Sequence, residues 1–431
     1  MNRDRYGLPF TTSSLAAATA YVDGMDRLLA ADAGATEAMQ DAVNLDPSFA
    51  LAHAGLARAK QIAGNAQQAM LSANEAVLLS EGLGAREVSH TRALQAVVHG
   101  SANALEQVRT HINNFPRDAL VLAPGVAVFG LIGFSGRKGR NEEVFAWMSA
   151  LAPHYAEDWW FGAWFGFLHT ETGRFPEGRA IVERAFANNP RNANAAHALA
   201  HVCYEHAETA DGIAFLSEWL ARYSPAAPLH CHLSWHQALF ELEAGRPQQA
   251  WKLYNEAVCP SGSPQAPPMN TLTDSAAFLW RASLLGQPIP AEMWHETNQF
   301  ARERFPTGGV DFVDAHAVMA AIGSNDSSAL ETILTRLRSG SGKTDGVLTK
   351  ISEALDAYGH GDWQRAIDLI ANKADELVRI GGSGAQRDVF EHTLLSAYLQ
   401  AGRADDARAW LASRPLRPRH GDGQVLVRLD R

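Results

Sequence analysis

Gly173-Arg174-Phe175-Pro176-Glu177-Gly178 is the stretch that decides the fold of this chain. A glycine able to take positive φ closes one helix, and a small residue five positions later starts a new amphipathic run that can lie close against the first. The same spacing recurs from Gly64 to Ala69, Gly245 to Ala250, Gly361 to Ala366 and Gly402 to Ala407. Ala185 and the closing Pro190 follow the first turn, Ala73 and Ala76 follow Gly64, and Tyr254 and Ala257 follow Gly245. Each hit is weak alone, but five together specify antiparallel helix pairs. Period-two alternation never persists, whereas apolar residues fall at i, i+3, i+4 spacing from Leu15 to Leu29 and from Ala193 to Leu220.

These turns resemble the junction between the two helices of a tetratricopeptide repeat. The resemblance implies an all-α fold, a right-handed solenoid of stacked helix pairs around a central cavity, with residues 1–431 forming one unit. The irregular spacing of the turns means that some pairs have drifted from the pattern. The longest break, residues 259–273, contains four prolines, and an irregular loop acting as a lid or binding loop is expected there. Residues 414–431 read as a short basic tail, solvated or docked.

The 431 residues are 46% apolar and only 19% charged, against about 25% for an average soluble domain. Charge is therefore used sparingly, and each interior-looking charge is informative. The net charge of −10 offers no basic stripe for phosphates, so no nucleic-acid partner is expected. No apolar run is long enough to span a membrane, the N-terminus lacks a secretory pattern, and Cys203, Cys231 and Cys259 have no metal or redox spacing. A cytoplasmic protein with no membrane partner is expected, with a homodimer left open.

Six of the 17 histidines lie between residues 197 and 236. His197 and His201 are spaced i, i+4, and Glu205 continues their face; His232 and His236 repeat the spacing, with His230 nearby. Two such pairs on neighbouring helices could act as a general base with an orienting partner, or satisfy buried carbonyls between packed helices. They could also hold a divalent metal, although the HExxH pattern is missing, so no cofactor is expected and the metal is a secondary option for His197, His201, His232 and His236. Asp314 and His316 stand in an otherwise apolar helix and point about 200° apart. At least one should face inward, or Asp314 sits near a helix start and His316 is exposed. Asp274 reads as a helix N-cap or as a site residue with Trp280 and Arg281 after it.

Ser339-Gly340-Ser341-Gly342-Lys343-Thr344 imitates a phosphate loop, but Leu337 stands where that motif needs glycine, and a helical run precedes it instead of a strand. Cys203 and Cys231 could be nucleophiles near so many histidines, although buried free cysteines are commoner. In Gly381-Gly382-Ser383-Gly384-Ala385-Gln386-Arg387-Asp388, a glycine-rich connector capped by Ser383 opens a helix with an amide, a guanidinium and a carboxylate. Arg387 opposes the helix dipole there, so another group should hold it. A functional reading has it clamp an anion with the help of the helix-start amides.

Tyr6 to Ser14, His197 to Val202, His232 to Phe240, Asp314 to His316 and Gly381 to Phe390 together resemble the tetratricopeptide repeat protein 38 family, in matching order over nearly the whole chain. The resemblance implies an all-helical repeat fold and no settled activity. The expectation is an interior polar site acting on a polar, anionic small molecule by hydrolase- or lyase-type acid–base chemistry. His197, His201, His232, His236, Asp314 and His316 are its catalytic candidates; Gln386, Arg387, Asp388, Trp235 and Arg281 are its binding candidates. The alternative is a scaffold that holds a peptide in its concave groove.

Overall fold

The structure, a computed structural model, describes residues 2–340, 342–344 and 346–414; the basic tail beyond Arg414 lies outside them. Among the described residues every element is helical except one antiparallel pair, Asn2–Arg3 with Pro9–Phe10. No described helix is long and apolar enough to cross a membrane. The architecture is a tetratricopeptide-repeat-like series of helix pairs.

All five glycine turns join two helices, for example Gly173 between Trp159–Glu171 and Phe175–Asn188. Their φ angles run from 70° to 82°, a region closed to most side chains. The small residue five positions later is fully buried at Ala69, Ala250, Ala366 and Ala407. At Gly178 a Cβ would lie 2.8 Å from Thr170 Oγ1 and 3.0 Å from the Gly166 carbonyl oxygen, so the two helices touch through backbone. In three further turns a residue other than glycine takes the left-handed region: Ala31, Ala207 and Asn325, at φ 53°, 54° and 56°.

The helices group into two compact units. The first comprises Met1–Gly133, Asn141–Ala198 and Ala226–Leu229; the second comprises Phe134–Arg140, Leu199–Pro225 and His230–Arg431. In the first, Phe10, Tyr21 and Phe49 form an aromatic cluster with ring centroids 5.0–5.4 Å apart. Burying each such ring stabilises by about 1.5–3 kcal/mol. In the second, helix His230–Glu243 packs on Thr209–Leu220 and on Pro268–Leu284, and Pro268–Leu284 packs on Asp311–Gly323 and Gly384–Gln400. Every residue from Cys231 to Leu242 and from Asn270 to Ala282 is buried. A helix buried all round is normally apolar all round. These two carry His232, His236, Asp274 and Arg281, so the second unit has a polar interior.

The structure corrects two expectations here. The irregular loop ends at Pro267 rather than 273, because helix Pro268–Leu284 begins on a proline. Proline is tolerated in the first helical position, where its missing N–H has no intrahelical acceptor to lose. Asp274 therefore lies inside the helix, 1% exposed, and is not its N-cap.

Candidate functional site

The polar centre of the second unit is built on three helices around His232. Helix Ala193–Glu205 supplies His201 and Tyr204, His230–Glu243 supplies His232, Trp235 and His236, and Pro268–Leu284 supplies Asp274 and Arg281. The His201 and His236 rings lie 4.7 Å apart at 71°, and those of His232 and His236 lie 4.8 Å apart at 77°. His232 Nδ1 donates to both Asp274 carboxylate oxygens at 3.0 Å. Burial raises the Asp274 carboxyl above its ordinary value, with the His232 imidazole pulling the other way. Burial, aided by His232, pushes His201 down to about 3, so its imidazole is neutral. The Asp274–His232 contact fixes ring orientation and tautomer, as a carboxylate behind a working histidine does.

Arg281 lies beside this group. Its Nη1 donates to the Tyr204 hydroxyl at 3.4 Å and to His392 Nδ1 at 3.1 Å, and its Nη2 donates to the Ala385 carbonyl. Its guanidinium carbon stands 5.9 Å from the Trp235 ring centre. Tyr204 donates to Asp388 Oδ2 at 3.1 Å, and burial first, then the Asp388 charge, hold its phenol well above the ordinary tyrosine value. Three buried donors at this junction have no hydrogen-bond acceptor: Trp235 Nε1, Arg281 Nε and Gln386 Nε2.

Helix Gly384–Gln400 begins as the sequence suggests, with Ser383 as its cap. Ser383 Oγ accepts from the Gln386 amide, and Gln386 Oε1 accepts from the Ser383 amide at 3.0 Å. This reciprocal cap already uses those two amides, so the expectation that they hold an anion is corrected. Arg387 donates to the Gly382 carbonyl, the local partner that its place against the dipole calls for. Gly381 and Gly382, at φ 110° and 73°, let the chain pass Phe134 and Phe312; a Cβ on Gly382 would meet Phe312 at 2.5 Å.

Asp314 and His316 are both buried, and neither has a contact with the histidine group among those resolved here. Asp314 pairs with Arg336 at 2.7 Å and accepts from the Gly309 amide, so its role is to fix a loop. His316 is not exposed: its Nδ1 hydrogen-bonds the Phe312 carbonyl at 2.7 Å. Burial lowers it to about 4, the Phe312 bond opposes, and Arg281 adds to the lowering. His197 stands one turn before His201 on its helix, in the first unit, stacked on Phe167 at 5.8 Å. Cys203, Cys231 and Cys259 are buried free thiols. Burial and the Asp274 charge push Cys231 well above the ordinary thiol value, which removes it as a nucleophile near neutral pH. Trp280 Nε1 donates to Thr393 Oγ1 at 2.9 Å and is structural.

Sequence reasoning missed Tyr204 and His392. It also missed a second buried cluster, in the first unit, where Asp118 Oδ2 accepts from Arg86 Nη2 at 2.8 Å, His90 Nδ1 at 2.9 Å and His111 Nε2 at 3.1 Å. These residues lie in three separate segments and share no local spacing, so only the fold joins them.

No family model matches the chain. Among solved structures, the human IFIT1 dimer with m7Gppp-AAAA matches 99% of this chain and 98% of that one, at 14% identity and a TM-score of 0.43. An IFIT1 monomeric mutant with Gppp-AAAA matches 84% of this chain and 89% of that one, at 16% identity and a TM-score of 0.42. Both of those structures hold capped RNA oligonucleotides, and the exclusion of a nucleic-acid partner drawn from net charge is withdrawn for this chain. Net charge averages over the whole surface, whereas anion recognition depends on local donors.

Proposed function

We propose that the second unit binds a polar, anionic small molecule and performs acid–base chemistry on it, with the chain an enzyme or enzyme-like binder. The observation that carries this reading is the trio of buried donors without acceptors, Trp235 Nε1, Arg281 Nε and Gln386 Nε2. Each costs about 1–3 kcal/mol when left unsatisfied. Native interiors rarely keep such groups unless a ligand or an ordered water uses them. Arg281 links the trio, since its guanidinium faces Trp235 and bonds the carbonyl next to Gln386. An anion with two or three acceptor oxygens would satisfy all three. His232, oriented by Asp274, and its neighbours His201 and His236 would handle the proton. Arg281 takes the anion-binding part that sequence reading gave to Arg387, with Asp388 positioning Tyr204 beside it.

The peptide scaffold is the weaker reading, because such a groove displays its polar residues to solvent, whereas these are buried. The resemblance to the tetratricopeptide repeat protein 38 family and a cytoplasmic location belong to the same proposal. The test is mass spectrometry of small molecules released by denaturing the purified protein. A stoichiometric anion that is absent from Arg281→Met protein of wild-type helicity supports the reading. Ligand-free wild-type protein that also binds no member of an anionic metabolite library would sink it.

A further inference from the structure

We propose that His201, His232 and His236 bind one divalent transition ion of the zinc class. Their ligand nitrogens lie within 4.8 Å of one another, and the rings meet edge-on at 71° and 77°, as rings sharing one central atom do. Helical spacing puts His232 and His236 on one face, and a neighbouring helix supplies His201, so rigid elements hold all three. The Asp274 carboxylate binds His232 Nδ1, which assigns Nε2 to the ion. A carboxylate behind a ligating histidine is the arrangement that fixes its tautomer and strengthens it as a ligand. Imidazole nitrogens suit zinc.

The second set of converging ligand atoms, His90, His111 and Asp118, is a poorer candidate. Those groups also lie within 4.8 Å of one another, but the Arg86 guanidinium sits 2.8 Å from the carboxylate oxygen a metal would need. A cation entering there would have to displace another cation.

This inference rests on the proposed function only in placing the ion beside the anion site: a bound cation there would add to the attraction for the anion. Metal binding itself is independent of that reading. The experiment uses tag-free full-length protein stripped with chelator and then titrated with zinc alone, followed by calorimetry, with cobalt absorption reporting tetrahedral coordination. Wild type should take up one equivalent, His236→Ala none, and Asp274→Asn should bind about 10–100-fold more weakly. No stoichiometric zinc in the wild type, or unchanged affinity in folded His236→Ala protein, would overturn the inference. Gln386→Glu separates the two ideas, since it should lose the anion and keep the metal. Zinc bound without any anionic ligand leaves this inference standing and defeats the proposed function; an anion bound without zinc does the reverse.

Discussion

Each unit buries a histidine–carboxylate cluster, and the two differ in how donors and acceptors balance. In the first unit, Asp118 gathers Arg86, His90 and His111, and Arg86 extends to the Asp4 carboxylate and the Pro9 carbonyl. Burial alone would raise the Asp118 carboxyl, but His90, Arg86 and His111 hold it well below the usual carboxylate range. The opposite charges meet directly, and the result ties the N-terminal segment to helix Ala85–Val98. In the second unit, Asp274 serves one imidazole, while Trp235, Arg281 and Gln386 each keep a buried donor without an acceptor. A histidine cluster is thus not evidence of function in itself: the first closes on one carboxylate and leaves a single ring nitrogen, His90 Nε2, without a partner, whereas the second has three such donors on separate residues linked through Arg281.

The largest expected effect breaks that comparison at its structural end. Asp118→Ala leaves Arg86 buried with Asp4 as its only carboxylate, and losing one partner of a buried pair costs about 3–5 kcal/mol. Asp274→Asn keeps an acceptor for His232 and should cost about 1 kcal/mol. Urea unfolding of both variants checks the ranking. Equal losses would mean that the second cluster is a structural knot like the first.

Acidification should next separate His316 from Asp118. His316 is buried and neutral, with a folded pKa of about 4 against an unfolded value of about 6.5. The unfolded chain binds the proton first, so this contribution is complete above pH about 6.5 and drains as pH falls towards 4. At about 1.4 kcal/mol per unit it amounts to about 3 kcal/mol. Asp118 has the opposite character: its folded value is depressed, so its contribution is complete above the ordinary carboxylate value and falls only at lower pH. Unfolding measured at pH 7, 6 and 5 in chelator should show a slope that His316→Gln reduces. An unchanged slope in that variant would remove His316 as its source.

A smaller effect on stability carries the most information about the ligand. Gln386→Glu keeps the oxygen that caps Ser383 and places a negative charge at a helix start, which favours the helix. It also replaces the unsatisfied Nε2 donor with an acceptor. Stability should stay within about 1 kcal/mol of wild type, while the co-purified anion is lost. Retention of the anion would show that Gln386 only caps.

The all-helical architecture was legible because five turns keep glycine where positive φ demands it, and Ala69, Ala250, Ala366 and Ala407 are small where helices touch. The histidine pairs were legible because i, i+4 spacing is a local property. Of the two readings of Asp274, the N-cap fails because proline normally breaks helices, and Pro268 hides the start of one. The Asp118 cluster joins residues 7 to 32 positions apart and the Tyr204–Asp388 contact residues 184 apart, and no repeat pattern encodes them. Three helix pairs escaped notice because their turns hold Ala31, Ala207 and Asn325 in a conformation that usually selects glycine.

Those turns supply the smallest test, one that applies to both units alike. A left-handed alanine carries about 1–2 kcal/mol of steric strain between Cβ and the carbonyl that follows it. Glycine removes that strain but gives the unfolded chain more freedom, which returns part of the gain. Ala31→Gly in the first unit and Ala207→Gly in the second should each stabilise by about 0.5–1 kcal/mol in urea unfolding. Neither residue supplies a side chain to either polar cluster, so zinc stoichiometry and ligand content should not change. If Ala207→Gly instead altered ligand content, the turn after Tyr204 would have to be counted as part of the polar centre, and the line drawn between a structural scaffold and a working interior would move.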